Sequence, residues 1–154
     1  MLSASGDWGA TGCGYQGDNS TRQADFPPSD PLFTGVGGTQ LRTSDTAGTY
    51  QSESCWNHGS SGNTRSGGEY SQIFKKPDWQ PGTHQYRSVP DVALDADYGA
   101  GALSVYMNGG WQDVGGTSLS SPLWAGYVAM VNQKAKAGGK ANVGAMNPTI
   151  YAAA

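Results

Sequence analysis

The stretch Gly115-Gly116-Thr117-Ser118-Leu119-Ser120-Ser121-Pro122 brings a hydroxyl group to the start of a helix on a glycine turn. A nucleophile is well served there, because free N–H groups and the positive end of the helix dipole favour the negative charge that grows on a carbonyl oxygen under attack. The paired glycines let a substrate come close to the backbone. The same residues equally suit a helix cap without reactivity, since Ser is a common N-cap. The nucleophile elbow of the α/β-hydrolases is disfavoured, because Gly116-Thr117-Ser118-Leu119-Ser120 has Ser where that pattern needs its second Gly.

Few other side chains offer a base. His58 and His84 are the only histidines, both in Gly-rich or polar stretches, and both read as solvent-facing with no spacing that brings them to Ser118. Glu53 and Glu69 are the only glutamates and read as loop residues. Asp91, Asp95 and Asp97 suggest an oxygen-rich metal loop but lack the ligand series of an EF-hand. Asp91 therefore reads as a strand-end hydrogen-bonding residue and the other two as surface residues; no cofactor or metal ligand set is expected. Cys13 and Cys55 would close one long loop in an oxidising compartment or stay as two thiols, and the sequence leaves both open.

These groups need elements to hold them. Leu32 to Val36, running into Gly37-Gly38-Thr39, fits a short buried strand that Pro27, Pro28 and Pro31 lead into rigidly. Leu41 to Gln51, rich in Thr and Ser, suits a solvent-facing hairpin, and Asn57 to Gly68 a mobile loop. Val89 to Ala93 with Leu94 is a second buried strand, and Leu103 to Met107, turning at Asn108-Gly109-Gly110 into Trp111 to Val114, a β-hairpin. A helix is expected from Ser118 to about Ala137, with Pro122 in its first turn and Gly138-Gly139 as its stop. Leu123, Trp124, Ala125, Val128, Ala129 and Val131 cover more than one of its faces, which predicts burial between a sheet and further neighbours. Ser3 to Asp7 reads as the end of a buried strand whose earlier residues are absent.

The totals narrow the class. At 154 residues there is room for one domain, and 24 Gly and 8 Pro against 14% charged residues describe a turn-rich globular chain. A net charge of −3 with no basic cluster beyond Lys75-Lys76 argues against a nucleic-acid partner. Met1 to Gly9 has neither the basic nor the apolar region of an export signal, and no stretch is long enough to span a bilayer.

Several separated segments, in order, resemble one family, the sedolisins or serine-carboxyl peptidases. Ser5-Gly6-Asp7-Trp8-Gly9 is similar to the family's strand end that presents an aspartate to the oxyanion, and Phe26-Pro27 through Gly35-Val36-Gly37-Gly38-Thr39 to its next strand and glycine turn. Glu53 with Trp56-Asn57, then Ser66-Gly67-Gly68 with Phe74, Pro77 and Trp79-Gln80, resemble its following loop and segment. Val89-Pro90-Asp91-Val92-Ala93 resembles a core strand, and Gly116-Thr117-Ser118 with Pro122 the nucleophile motif.

The resemblance implies a subtilisin-like α/β fold, a parallel sheet flanked by helices, of which residues 1–154 would be the C-terminal and incomplete part. It implies Ser118 as the nucleophile that forms an acyl-enzyme on a polypeptide substrate. Asp7 would stabilise the oxyanion, a task that requires a protonated carboxyl and hence acid. The family's base, a Glu oriented by an Asp, would lie upstream of Ser3, so the chain alone should turn over little or no peptide. The family's calcium site would lie beyond Asn147-Pro148-Thr149. Export of the full-length protein, and either self-association or pairing with the missing N-terminal part, follow from the same resemblance. A non-catalytic binding remnant and a Ser118-dependent ester hydrolase with a different base are the alternatives.

Overall fold

The computed structural model describes residues 1–12, 21–59, 64–99 and 101–154. Its centre is a sheet built on one long strand. β2 (Thr34–Thr43) is paired in parallel with β1 (Leu2–Ala4) on one side and with β6 (Val92–Asp95) on the other. Val36 sits in register with both Ala4 and Val92 and is completely buried. The far half of β2 pairs antiparallel with β3 (Tyr50–Cys55), which makes the solvent-facing hairpin expected of Leu41 to Gln51. Asp45 closes that turn by accepting the N–H groups of Ala47 and Thr49, each at 3.0 Å.

β2 begins two residues later than the apolar run suggested. Asp30 explains this: its side chain accepts the N–H of Leu32 at 2.9 Å and its carbonyl that of Phe33 at 3.0 Å, so the chain is still turning there and Leu32 is 76% exposed. At Gly38 a Cβ would stand 2.6 Å from the side chain of Ala96 and 3.0 Å from the ring of Trp56. Only glycine lets the layers meet so closely.

Helix α1 (Thr117–Ala137) lies across β1, β2 and β6. Two polar side chains fasten it to β6: Ser120 Oγ donates to the Leu94 and Asp95 carbonyls at 3.0 Å, and Trp124 Nε1 to the Ala93 carbonyl at 3.0 Å. The expected burial of more than one face is not found. Thr117 and Ser120 are the fully buried residues of the helix, while Tyr127 and Met130 are exposed and Ala125 and Ala129 face solvent with them. The sheet covers one side, and no other element among the described residues packs on the opposite side. Pro122 is also displaced from its expected first turn, because Gly116 is the N-cap and Pro122 is the sixth helical residue. Lacking an N–H, it leaves the carbonyl of Ser118 without its intrahelical donor.

Two further hairpins complete the chain, β4 (Tyr70–Lys75) with β5 (Tyr86–Ser88), and β7 (Leu103–Met107) with β8 (Gly110–Val114). The second is the hairpin predicted at Asn108-Gly109-Gly110, with Asn108 and Gly109 both at positive φ. The short helix α2 (Asn147–Ala153) packs by Asn147, which donates to the Phe33 carbonyl at 2.9 Å and accepts the Thr34 hydroxyl at 2.6 Å.

A buried ion pair ties these parts together. Arg87 and Asp91 have fully buried side chains, and the guanidinium meets both carboxylate oxygens, at 2.7 and 2.5 Å. Asp91 also accepts the Gly35 N–H at 2.7 Å and the Tyr151 hydroxyl at 2.9 Å, which bears out its reading as a strand-end hydrogen-bonding residue. No helix among the described residues is long and apolar enough to cross a membrane.

Candidate active site

Asp7 follows β1 on a backbone that two glycines allow. Gly6 has φ +99, and the loop after β3 presses against it so closely that a Cβ on Gly67 would stand 2.1 Å from the Ser5 carbonyl. Three bonds lock this contact: Ser5 Oγ donates to the Gly67 carbonyl at 2.7 Å, Gly67 N–H to the Gly6 carbonyl at 2.6 Å, and Arg65 N–H to the Asp7 carbonyl at 2.9 Å. Part of the expected mobile loop, residues 60–63, lies outside the described residues; what is described of its second half is this clamp.

The Asp7 side chain crosses to the start of α1. Its Oδ1 accepts both the backbone N–H and the hydroxyl of Thr117, each at 2.8 Å. Gly116 has φ +83, and a Cβ there would stand 2.7 Å from Asp7 Oδ2, so the glycine makes room for the carboxyl group. On its other side the turn is held by Gly116 N–H donating to the Ala96 carbonyl at 2.6 Å. Asp7 therefore bonds to the residue that precedes Ser118, at the positive end of the helix that carries Ser118.

Ser118 is the second helical residue, exposed, with a hydroxyl that caps nothing and has no hydrogen-bond partner among the described residues. The reading of Ser118 as the helix cap is thereby replaced, since Gly116 holds that position.

The other titratable residues fall into two groups. His84 is exposed as expected, its ring stacked on Tyr70 with centroids 3.5 Å apart. His58 is not: its Nε2 lies 2.7 Å from Asp97 Oδ1 and its ring stacks on Tyr98 at 4.8 Å, edge-on to Trp56. Asp95 and Asp97, expected at the surface, are 7% and 0% exposed. Gln40 donates to Asp97, and Asp95 accepts the N–H groups of Leu41 and Asp97. Burial, with the Asp97 carboxylate beside it, pushes the Asp95 carboxyl above its ordinary value against the pull of those N–H donors.

The His58–Asp97 pair has the chemistry of a base, but no hydrogen bond joins either histidine to Ser118 among the described residues. Glu53, read as a loop residue, lies on β3 and accepts the Thr39 hydroxyl at 2.6 Å. Glu69 pairs with Arg22 at 2.7 Å. Among the described residues no group of three or more His, Cys, Asp or Glu is placed to hold a metal ion. Cys55 is an exposed thiol, and Cys13 lies outside the described residues.

Thr117 was passed over in the sequence, although it stands beside Ser118 in the motif. The His58–Asp97 pair had no local signal at all, because it joins residues 39 apart in sequence.

A sheet with a parallel centre crossed by one helix, with a serine and a carboxyl group at the start of that helix, is a subtilisin-like α/β fold. No family model matches the chain. It is 43% identical over 134 residues to sedolisin of Pseudomonas sp. strain 101, covering 82% of this chain and 22% of that protein. It is 40% identical over 161 residues to kumamolisin of Bacillus sp. strain MN-32, covering 98% of this chain and 27% of that protein. The structure matches Pseudomonas sedolisin, solved with two molecules of pseudo-iodotyrostatin, with a TM-score of 0.83 and 36% identity over 99% of this chain and 42% of that one. The chain is thus a homologue of the sedolisin family over nearly its whole length, and it spans about a quarter of the length of the curated relatives it matches.

Proposed function

We propose that the chain forms the nucleophile and oxyanion side of a serine-carboxyl endopeptidase that acts on polypeptides in acid. The observation that supports this most directly is the bonding of Asp7 Oδ1 to the first amide of the helix that carries Ser118. Ser118 Oγ would attack the peptide carbonyl and form an acyl-enzyme, releasing the amine half of the substrate. As charge moves onto the carbonyl oxygen, a protonated Asp7 donates a hydrogen bond to it; an ionised carboxylate would repel it. Acid supplies the neutral carboxyl, which fits a full-length protein exported to an acidic surrounding.

The hydroxyl still needs a base to take its proton. The resemblance would put the family's Glu and its orienting Asp upstream of Ser3, and neither Glu53 nor Glu69 bonds to Ser118 among the described residues. The isolated chain is accordingly expected to turn over little peptide, since removing the base from a triad leaves only a small residual rate.

A fluorophosphonate probe tests the nucleophile without requiring turnover. The expected outcome is slow labelling of the chain, abolished in Ser118→Ala and reduced in Asp7→Ala. No labelling of the wild-type chain would favour the non-catalytic binding remnant. Efficient peptide hydrolysis by the purified chain at about pH 4, where roughly half of ordinary carboxyl groups are neutral, would refute the assignment of the base.

A further inference from the structure

The polarity of one buried hydroxyl follows from its neighbours. The Gly6 N–H can only donate, and it donates to Thr117 Oγ1 at 3.1 Å. The proton of that hydroxyl is then left for Asp7 Oδ1 at 2.8 Å, the oxygen that also takes the Thr117 N–H at 2.8 Å. With two donors aimed at Oδ1, a third hydrogen there would have nowhere favourable to point. A neutral Asp7 therefore carries its proton on Oδ2. That oxygen lies over Gly116, where the missing side chain leaves space that a Cβ 2.7 Å away would fill. Thr117 is 1% exposed, which leaves bulk water little access to take over the role of its hydroxyl.

We propose that Thr117 is a positioning residue of this site: its hydroxyl occupies Oδ1 of Asp7 and so leaves Oδ2 as the oxygen that bears the proton. Thr117 touches no substrate in this scheme and acts through Asp7. Its purpose rests on the reading of Asp7 as the oxyanion donor, while the geometry stands independently of it.

The charged groups around Asp7 come from other elements. Asp25, on the connection from β1 to β2, approaches Gly6, with its Oδ2 2.3 Å from where a Cβ would stand. Arg65, in the loop after β3, lies along Gly9 and gives its backbone N–H to Asp7. α1 has no acidic residue in its first turn. Substitution at Thr117 removes none of these charges, so it isolates the hydroxyl.

The test follows the rate of fluorophosphonate labelling of Ser118 in acid. Thr117→Val keeps shape and removes the donor; it is expected to lower the rate severalfold with the melting temperature nearly unchanged. Thr117→Ser is expected to restore the wild-type rate, which a merely space-filling role would not require. An unchanged rate in Thr117→Val beside a fall in Asp7→Ala, or an equal loss in Thr117→Ser, overturns the proposal. If the valine variant fails to fold, Thr117→Ala takes its place with the same two outcomes. The oxyanion reading fails separately, by an unchanged rate in Asp7→Ala.

Discussion

Cutting the ion pair between Arg87 and Asp91 should unfold much of the molecule's stability margin. Both side chains are fully buried, and the guanidinium is held by two carboxylate oxygens and by the carbonyls of Ser88 at 2.7 Å and Phe33 at 3.3 Å. Asp91→Ala removes the countercharge and leaves the guanidinium with carbonyls alone. It also removes the acceptor of the Gly35 N–H and of the Tyr151 hydroxyl. Each buried group so stranded costs about 1–3 kcal/mol, and breaking a buried pair from one side costs about 3–5 kcal/mol in all. That is a large share of the roughly 5–15 kcal/mol that holds a domain folded. The double variant Arg87→Met with Asp91→Leu leaves no charge without its partner, so it should recover a good part of the loss. Urea denaturation of the wild type, both single variants and the double variant measures the coupling. A cost under about 1 kcal/mol for Asp91→Ala, or single-variant losses that simply add in the double, would refute the reasoning.

Three further outcomes follow from the same geometry. Gly116→Ala combines a left-handed φ, worth about 1–2 kcal/mol against an L residue, with a Cβ against Asp7 Oδ2, so probe labelling of Ser118 should fall more than the melting temperature does. Asp95 has a carboxyl raised above 3.8 by burial; its favourable contribution is therefore complete below 3.8 and is lost as pH rises from there through the higher value of the folded state. Asp95→Asn, which keeps an acceptor for the Leu41 N–H, should therefore stabilise the chain at neutral pH and change little at about pH 3, read by melts at both. Tyr151 is raised above 10.0, by burial first, so its contribution is complete below 10.0 and fades as pH climbs through the folded value. Tyr151→Phe should flatten that alkaline fall, at a cost of about 1 kcal/mol below it for the lost bond to Asp91.

What the sequence disclosed was whatever local chemistry decides. Asn108-Gly109-Gly110 needs positive φ, and only a tight hairpin offers it; Gly138-Gly139 ends a helix wherever the helix lies. The start of β2 was misplaced by a side chain, Asp30, whose bond to Leu32 outweighs the apolar character of that residue. Asp95 and Asp97 carry no local sign that Gln40, Leu41 and His58 will close over them, so surface placement was the natural reading and was wrong. The second apolar face of α1 was read correctly as apolar, but burial depends on a partner, and one sheet supplies only one side.

Placement and proton removal separate accordingly at the candidate site. The start of α1 is held through Ala96, Leu94 and Asp95 on one side and through Gly6 and Asp7 on the other, and none of these bonds involves the exposed face of the helix. The position of Ser118 relative to Asp7 is therefore fixed by these bonds, whereas none of the described residues is hydrogen-bonded to the Ser118 hydroxyl to take its proton. Placement and proton transfer contribute separately to a rate. Under the proposed function, a chain that holds a serine and a carboxyl group together at one helix end with no base bonded to the serine among the described residues should react measurably with an electrophile that needs only placement, and only poorly with a peptide that needs both.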